Sequence, residues 1–398
     1  MTTVATVLIG GSTLLVLYAL MGYPALLLLG GRRGRRPVQE LHEWPMVSIT
    51  VPAYNEESTI AETVKTLLAI DYPADRLQIL VVSDGSTDAT DRIVADYAGR
   101  GVELLRVDTR RGKSAAENRA RSHLRGEIII NTDASVRVDP AAVKQLVRHF
   151  GDPEVGLASG RDVSVARSSE EGNRGEARYV GYEMWVRSLE TRAGGIVGAS
   201  GCLYAIRREF HDVEVPEHLS RDFMSALTTR ERGFRAVSVP GAICYVPRTP
   251  SLKREYRRKV RTILRGIQTL IYKGHLLNPR RYGAFAWKLW SHKVCRWAIP
   301  WAGMIGMVGV ALLVPTTMWA AVPLVALGVG LVLTAVAWGW PEGRAIPEVF
   351  SIPAYLLSGA FAVCLGTVRA LNGFDASMWE PTRRSAESPE PTPALERD

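Results

Sequence analysis

The sequence has few cysteines: Cys202, Cys244, Cys295 and Cys364 are the four in 398 residues. They lie far apart and show no C-x-x-C spacing, so the sequence predicts neither structural zinc nor disulfides. Charged residues are nearly absent from residues 4–29, and this run exceeds the roughly 20 residues that cross a bilayer. No Lys or Arg precedes the run, which favours a membrane span over a cleaved signal peptide.

Two glycine-rich phosphate-binding motifs are also missing. The tripeptide Gly112-Lys113-Ser114 resembles the end of a P-loop, but Val107 stands where that motif requires its first glycine. No G-x-G-x-x-G follows the first predicted strand, where residues 52–56 read Pro-Ala-Tyr-Asn-Glu. The sequence therefore excludes a P-loop and argues against a Rossmann dinucleotide site.

Apolar runs surround a charged middle. Residues 1–30 predict an N-terminal transmembrane helix, and the Arg-rich residues 32–36 predict that the chain then continues on the cytoplasmic side. Three further apolar runs are residues 298–315, 318–340 and 349–368. We therefore expect C-terminal transmembrane helices within residues 298–370. The last run either crosses or forms an interfacial or re-entrant segment, and we favour four crossings.

The net charge of +9 belongs largely to residues beside these spans, where basic side chains attract anionic lipid headgroups. We therefore expect the lipid bilayer, and not nucleic acid, as a partner. Residues 251–290 predict amphipathic interfacial helices, because apolar residues recur on one face of the basic stretch 252–274. Residues 383–398 are rich in Pro, Glu and Ser and predict a disordered tail.

The middle of the chain, residues 45–250, alternates short apolar strands with amphipathic helices. Such alternation predicts an α/β domain with a parallel-rich sheet and helices on both faces. Asn55, Asp84 and Asp133 each follow the end of a predicted strand. Ligands of open α/β sheets bind beyond the carboxyl ends of the strands, so these three side chains predict a binding site.

Four segments carry a family resemblance, in order and each at a strand end. They are residues 47–57 (Val-Ser-Ile-Thr-Val-Pro-Ala-Tyr-Asn-Glu-Glu), 82–88 (Val-Ser-Asp-Gly-Ser-Thr-Asp), 112–114 (Gly-Lys-Ser) and 131–135 (Asn-Thr-Asp-Ala-Ser). Together they resemble glycosyltransferase family 2, which includes membrane-bound cellulose, hyaluronan and poly-N-acetylglucosamine synthases. The resemblance covers about residues 45–265. It implies a glycosyltransferase A-type fold that binds a nucleotide-sugar, and a multi-pass plasma-membrane protein with a cytoplasmic catalytic domain.

The resemblance implies a donor site at the carboxyl ends of the strands. Its expected substrate-binding residues are Pro52, Ala53, Asn55, Glu56, Asp84, Lys113 and Ser135. Asp84 would accept a hydrogen bond from the uracil of a UDP-sugar, and the alternative is a helix cap. Lys113 would supply positive charge to the phosphates, and the alternative is a solvated surface lysine.

Asp133 is the expected ligand of Mg²⁺ or Mn²⁺, since a leaving diphosphate needs a hard cation held by oxygen. The family's D-x-D form has a second carboxylate where this chain has Ser135. Asp222 is the expected catalytic base for the acceptor hydroxyl. Arg221 replaces the usual acidic residue before it. A turn residue at position 133 and a cap or ion pair at position 222 are the structural alternatives.

The small-residue loop that contains Gly198, Ser200 and Gly201 is expected to border the acceptor, although an ordinary tight turn would look similar. Arg258 and Arg261 are expected to pair with the diphosphate, or equally with lipid headgroups. Processive members carry Q-x-x-R-W in this region, and of that motif only Arg261 is present.

Three functions fit these residues. The first is an inverting transfer from a UDP-sugar to a cell-surface polysaccharide or glycolipid. The second is the transfer of one sugar to a polyprenyl phosphate or lipid, which the lost Q-x-x-R-W supports. The third is an inactive membrane scaffold, which Ser135 and Arg221 motivate.

Overall fold

The computed structural model describes residues 1–30, 41, 43–165, 174–247, 251–341, 344 and 346–378, with no side chains described at residues 174–179. The Arg-rich residues 32–36 and the predicted tail at 383–398 lie outside the described residues.

Eight strands form one mixed sheet in the order β3-β2-β1-β4-β7-β6-β8-β5. They are β1 (Val47–Ala53), β2 (Leu77–Asp84), β3 (Val102–Val107), β4 (Ile128–Thr132), β5 (Arg137–Val138), β6 (Val155–Val165), β7 (Leu203–Arg207) and β8 (Arg235–Pro247). β1 runs parallel to β2 and β4, and β2 runs parallel to β3. The predicted parallel half is confirmed. The other half is mixed, because β7 runs antiparallel to both β4 and β6, and β5 antiparallel to β8.

Fifteen α-helices lie within the described residues. They are α1 (Thr2–Leu17), α2 (Tyr23–Gly30), α3 (Ile60–Leu68), α4 (Thr90–Ala95), α5 (Lys113–Ala120), α6 (Ala142–Val147), α7 (Arg174–Arg192), α8 (Arg208–His211), α9 (Arg221–Glu231), α10 (Leu252–Tyr272), α11 (Pro279–Tyr282), α12 (Ala284–Leu289), α13 (Cys295–Leu313), α14 (Ala321–Trp338) and α15 (Glu348–Leu371).

The side chains of strand β2 pack against helices on both faces of the sheet. Successive strand residues point to opposite faces. Ile79 and Val81 join one buried cluster, which also contains residues of α3, α4 and α6. Leu80 and Val82 join a second cluster, which contains residues of α5 and α9. Each helical layer therefore buries one face of the sheet, and the predicted α/β architecture is confirmed.

Four helical stretches are long and apolar enough to cross a membrane: Thr2–Gly30, Ala284–Leu313, Met318–Trp338 and Glu348–Leu371. The first two pack closely, because a Cβ at Gly309 would lie 3.0 Å from the carbonyl oxygen of Ala5. Small residues allow helix backbones to approach in this way in a membrane.

Helix α15 packs along α10. A Cβ at Gly366 would lie 2.9 Å from Ile263, and the Nζ of Lys259 lies 3.6 Å from the ring centroid of Tyr355. Trp338, at the end of α14, contacts the ring of Tyr256 in α10. The end of α14 and helix α15 therefore both pack against α10. A fourth crossing by α15, which is long and apolar enough to span a membrane, stays a prediction.

Residues 372–378, which we call the C-terminal strap, return to the α/β domain. Gln268 of α10 donates a hydrogen bond to the Phe374 carbonyl at 2.9 Å. The carbonyl of Ser377 rests on Gly112, where an added Cβ would overlap it. Gly112 has φ 100° and ψ 167°, a conformation that is essentially restricted to glycine. The strap therefore packs on the residue that precedes α5.

We expect Gly112→Ala to destabilise the protein by about 1–3 kcal/mol from backbone strain alone, with the overlap at Ser377 adding to this. Thermal unfolding in detergent measures the effect. Gly99→Ala is the matched control, because nothing lies within 4 Å of an added Cβ there and its φ is not positive. Equal melting temperatures for the two variants would contradict the packing.

Candidate active site

The loops that follow β1 and β2 are joined by Asn55. This residue has φ 50°, in the left-handed region that Asn tolerates better than most residues. Its side-chain oxygen accepts a hydrogen bond from the backbone amide of Thr87 at 2.8 Å. The backbone amide of Asn55 donates to the Ser86 hydroxyl at 3.2 Å. Pro52 and Ala53 are buried at the end of β1. These three predicted donor-site residues therefore border the same edge of the sheet as Asp84.

Glu56 is 3% exposed and belongs to the framework of this edge. Its amide donates to the Thr90 hydroxyl at 2.8 Å, and its carboxylate accepts from the Thr59 hydroxyl at 2.8 Å. These bonds connect the loop to the first turns of α3 and α4. A direct ligand contact by Glu56 stays a prediction.

Asp84 holds the loop after β3. Its two carboxylate oxygens accept from the backbone amides of Arg111 at 3.0 Å and Gly112 at 2.7 Å. Gly85 follows with φ 70° and lies close to the Arg110 backbone. A carboxylate has roughly four acceptor positions, so the predicted bond to uracil is compatible with these contacts and stays a prediction.

Lys113, the first residue of α5, forms an ion pair with Asp133 after β4. Its Nζ also lies 3.4 Å from the carbonyl oxygen of Gly201. Burial by itself would lower the pKa of Lys113, but the carboxylates of Asp133 and Glu117 raise it above its ordinary value. Lys113 is therefore a paired cation inside the site and not a solvated surface lysine.

Asp133 also begins a turn, because its carbonyl accepts from the Val136 amide at 3.1 Å. The next carbonyl, of Ala134, accepts from the Thr63 hydroxyl at 2.8 Å and anchors the turn to α3. The side chain of Asp133 remains 35% exposed. Ser135 is partly buried two positions further on. The turn thus leaves a carboxylate accessible beside a hydroxyl.

Asp222, near the start of α9, lies beside Gly201. A Cβ at Gly201 would be 3.4 Å from Oδ2 of Asp222. The other carboxylate oxygen accepts a hydrogen bond from Ser220. The Asp222 charge also contributes to the raised pKa of Lys113. Asp133, Lys113, Gly201 and Asp222 therefore form one connected cluster.

Ser200 shapes the loop between Gly198 and Gly201. Its hydroxyl donates to Asp162 at 2.6 and 2.7 Å from the two carboxylate oxygens. Burial raises the pKa of Asp162, and the bond from Ser200 opposes that shift. Asp162 was missed because it lies within β6 with no motif around it. A direct substrate contact by Ser200 stays a prediction.

Arg265, on α10, contacts the residues that follow Lys113 and precede Asp222. It donates to the Ser114 hydroxyl at 2.7 Å and to the Leu219 carbonyl, and this joins α10 to α5 and to the segment before α9. Arg258 forms two bonds of 2.9 Å with Glu255. Arg261 is partly buried on the same helix. Arg265 was missed, although its spacing from Arg258 and Arg261 gave a helical-face signal.

Arg221 has a buried partner on α5. Its Nε lies 3.2 Å from Oε2 of Glu117, and the two side chains are 3% and 1% exposed. Arg221 also donates to Asn118. Burial raises the pKa of Glu117, whereas Lys113 and Arg221 oppose the shift. The basic residue before Asp222 is thus balanced by an acidic residue on α5.

Residues 48–213 match the family described as Glycosyl transferase family 2. This match supports the predicted resemblance to glycosyltransferase family 2. The match begins in β1 and ends after α8, so it contains Asp84, Lys113 and Asp133. Asp222 and α10 lie beyond it.

Several known proteins are similar to this chain. A β-monoglucosyldiacylglycerol synthase from a Nostoc species is 31% identical over 173 residues, which are 42% of this chain and 37% of that protein. A poly-β-1,6-N-acetyl-D-glucosamine synthase from Staphylococcus aureus is 23% identical over 244 residues, 60% of this chain and 58% of its own length. The alignments with these curated relatives therefore span less than two thirds of each relative.

A solved mannosyltransferase from Pyrobaculum calidifontis, in complex with GDP-Man and Mn²⁺, matches almost the whole of this chain in structure. The match covers 92% of this chain and 99% of that one, with a TM-score of 0.69 and 22% identity. At this identity the similarity shows a shared fold. The predicted glycosyltransferase A-type architecture with membrane helices is confirmed.

We expect Arg221→Met to destabilise the protein by about 3–5 kcal/mol, because Glu117 would keep a buried charge without its partner. Adding Glu117→Leu should recover most of this loss, since both charges are then gone. Chemical denaturation of the two single variants and the double variant measures the coupling free energy.

Arg208→Met is the control for that cycle, because Arg208 pairs with Asp212 and both side chains are at least 40% exposed. We expect less than about 1 kcal/mol there. Additive losses at residues 117 and 221 would contradict the compensation.

Proposed function

We propose that this protein is an inverting membrane glycosyltransferase, which transfers a sugar from a nucleotide-sugar to a cell-surface polysaccharide or glycolipid. The convergence of Asp133, Lys113 and Asp222 around Gly201 is the observation that carries the proposal. A reaction of this kind needs a site for the leaving diphosphate beside a base for the acceptor, and this cluster offers both.

The donor is proposed to bind at the carboxyl ends of β1, β2 and β4. Asp84 holds the loop before Lys113 and faces the edge that Asn55 completes. Uracil is the proposed base, on the strength of the motif around Asp84. The mannosyltransferase of similar fold was solved with GDP-Man, so GDP-sugars belong in any donor test.

Asp133 is the residue that would hold Mg²⁺ or Mn²⁺. No group of three or more His, Cys, Asp or Glu side chains able to hold a metal occurs in the described part of the chain. Mg²⁺ is commonly held by one or two carboxylates together with substrate phosphates, so a single exposed carboxylate fits a metal that arrives with the donor. When bound, the ion would neutralise charge on the leaving diphosphate.

Asp222 would take the proton of the acceptor hydroxyl as that oxygen attacks the anomeric carbon. The bond between this carbon and the diphosphate oxygen breaks as the new bond forms on the opposite face, which inverts the configuration. Lys113 would hold the departing phosphates near Asp133. The compensation of Arg221 by Glu117 argues against the inactive scaffold, because it preserves the surroundings of the proposed base.

We expect Asp222→Asn to lower the transfer rate by about 10²–10⁴-fold while donor binding persists, because only the proton acceptor is lost. Asp133→Ala should abolish the metal dependence of donor binding. Nucleotide release from UDP-, GDP- and dTDP-sugars, with Mn²⁺, Mg²⁺ or chelator and with membrane lipid extract as acceptor, measures both effects.

Asp75→Asn provides the matched control, since that side chain is 82% exposed. We expect it to retain full activity. If the native protein neither binds nor turns over any of these donors, the proposal is wrong. It is also wrong if Asp222→Asn transfers sugar at the native rate.

A further inference from the structure

The membrane helices meet the α/β domain through buried charged residues. His292 lies between two carboxylates of α7, at 2.9 Å from Glu183 and 2.6 Å from Glu190. Arg296 pairs with Glu183 at 2.5 Å, and Tyr23 of the first span donates to Glu190. Buried charges are stable only when they are paired, and each of these side chains has a partner of opposite charge or a hydrogen bond.

Glu190 and two basic residues hold the loop between α7 and β7, residues 193–202, which we call the acceptor loop. Lys288 donates to the Gly195 carbonyl at 2.5 Å. Glu190 accepts from the Val197 amide at 3.4 Å, and Arg187 donates to the Ala199 carbonyl at 3.4 Å. Charged groups linked to the membrane helices thus fix the loop backbone up to Ala199.

Lys293 is the exception among these residues. In the described part of the chain its Nζ contacts neither a carboxylate nor a carbonyl oxygen. Its neighbours are the Phe223 ring, with the centroid 5.3 Å away, and Gly198, whose added Cβ would be 3.4 Å away.

Two carboxylates act on Lys293, and both already have partners. Glu183 pairs with Arg187 and Arg296, and Glu190 pairs with His292. Lys293 is therefore a surplus positive charge, partly buried beside the acceptor loop. A partly buried charge without a counterion is unfavourable, and an anionic ligand would relieve that cost.

We propose that Lys293 binds the phosphate of a lipid acceptor at the membrane side of the site. This inference rests on the proposed function and specifies its acceptor. Basic residues at the ends of transmembrane helices are well suited to bind phosphate headgroups. Because Lys293 belongs to the stretch Ala284–Leu313, the ligand would enter along the membrane helices.

The acceptor loop connects the neighbour of Lys293 with the neighbour of Asp222. Gly198 contacts Lys293, and Gly201 lies beside Asp222. Three residues span at most about 10 Å. Lys293 and Asp222 therefore lie near the two ends of a short loop, and the acceptor class is a lipid that carries a phosphate and a hydroxyl close together, such as a lipid-linked sugar phosphate. Asp222 would take the hydroxyl proton, the oxygen would bond to the anomeric carbon, and the nucleoside diphosphate would leave with the electron pair.

The test uses the full-length protein in detergent and a radiolabelled donor that the native chain hydrolyses. Total membrane lipid is separated by anion exchange into a neutral fraction and a phosphate-bearing fraction, and each is offered as acceptor. Glucose 1-phosphate, a sugar phosphate without a lipid, is the third arm. We expect label to enter the phosphate-bearing lipids.

Lys293→Gln should raise the KM for that fraction by about tenfold or more, because a charge-assisted contact is lost. Nucleotide release without any acceptor should stay at the native rate, and Lys293→Arg should restore most of the affinity. Lys65→Gln, at an exposed position of α3, is the matched control. Melting temperatures confirm that each variant is folded.

Label in the neutral fraction, equal transfer to glucose 1-phosphate, or an unchanged KM in folded Lys293→Gln would each overturn the inference. So would donor hydrolysis by the native chain with no transfer to either lipid fraction. The failure of the proposed function looks different, because the native chain would then neither bind nor hydrolyse any donor.

Discussion

Charge balance in a partly buried space is the constraint on which the site depends. Three carboxylates and three cations interact there, namely Glu117, Asp133 and Asp222 with Lys113, Arg221 and Arg265. Carboxylates this close to one another would raise each other's pKa values if no cation stood between them. Lys113 is central because all three carboxylates act on its ammonium group. A change of charge on the proposed donor side of the site would therefore affect the proposed acceptor side.

The parallel half of the sheet could be predicted because β1 to β4 are local apolar runs that end at polar residues. Asp84 and Asp133 follow from the same pattern. The antiparallel β7 could not be predicted, since it pairs with β4 and β6 from distant parts of the chain. The motif around Asp222 identifies Arg221 as an unusual basic residue but does not identify its partner Glu117, because only the fold brings the two together.

The acceptor loop is held both by the sheet and by residues linked to the candidate membrane helices. Asp162 holds one end through Ser200, on the side of the sheet. Lys288, Glu190 and Arg187 hold the other end, on the side of the membrane helices. A loop fixed from both sides keeps Gly201 next to Asp222 without using regular secondary structure. The spans thus contribute to the geometry of the site as well as to anchorage.

The contact between Ser377 and Gly112 means that residues 48–213 pack against a segment that lies outside the matched region. Gly112 belongs to the matched family 2 region, residues 48–213, whereas the strap comes from the far end of the chain. A chimera that exchanged only the matched region between relatives would separate the two surfaces. Grafting this domain onto another membrane anchor would therefore require the strap to move with it.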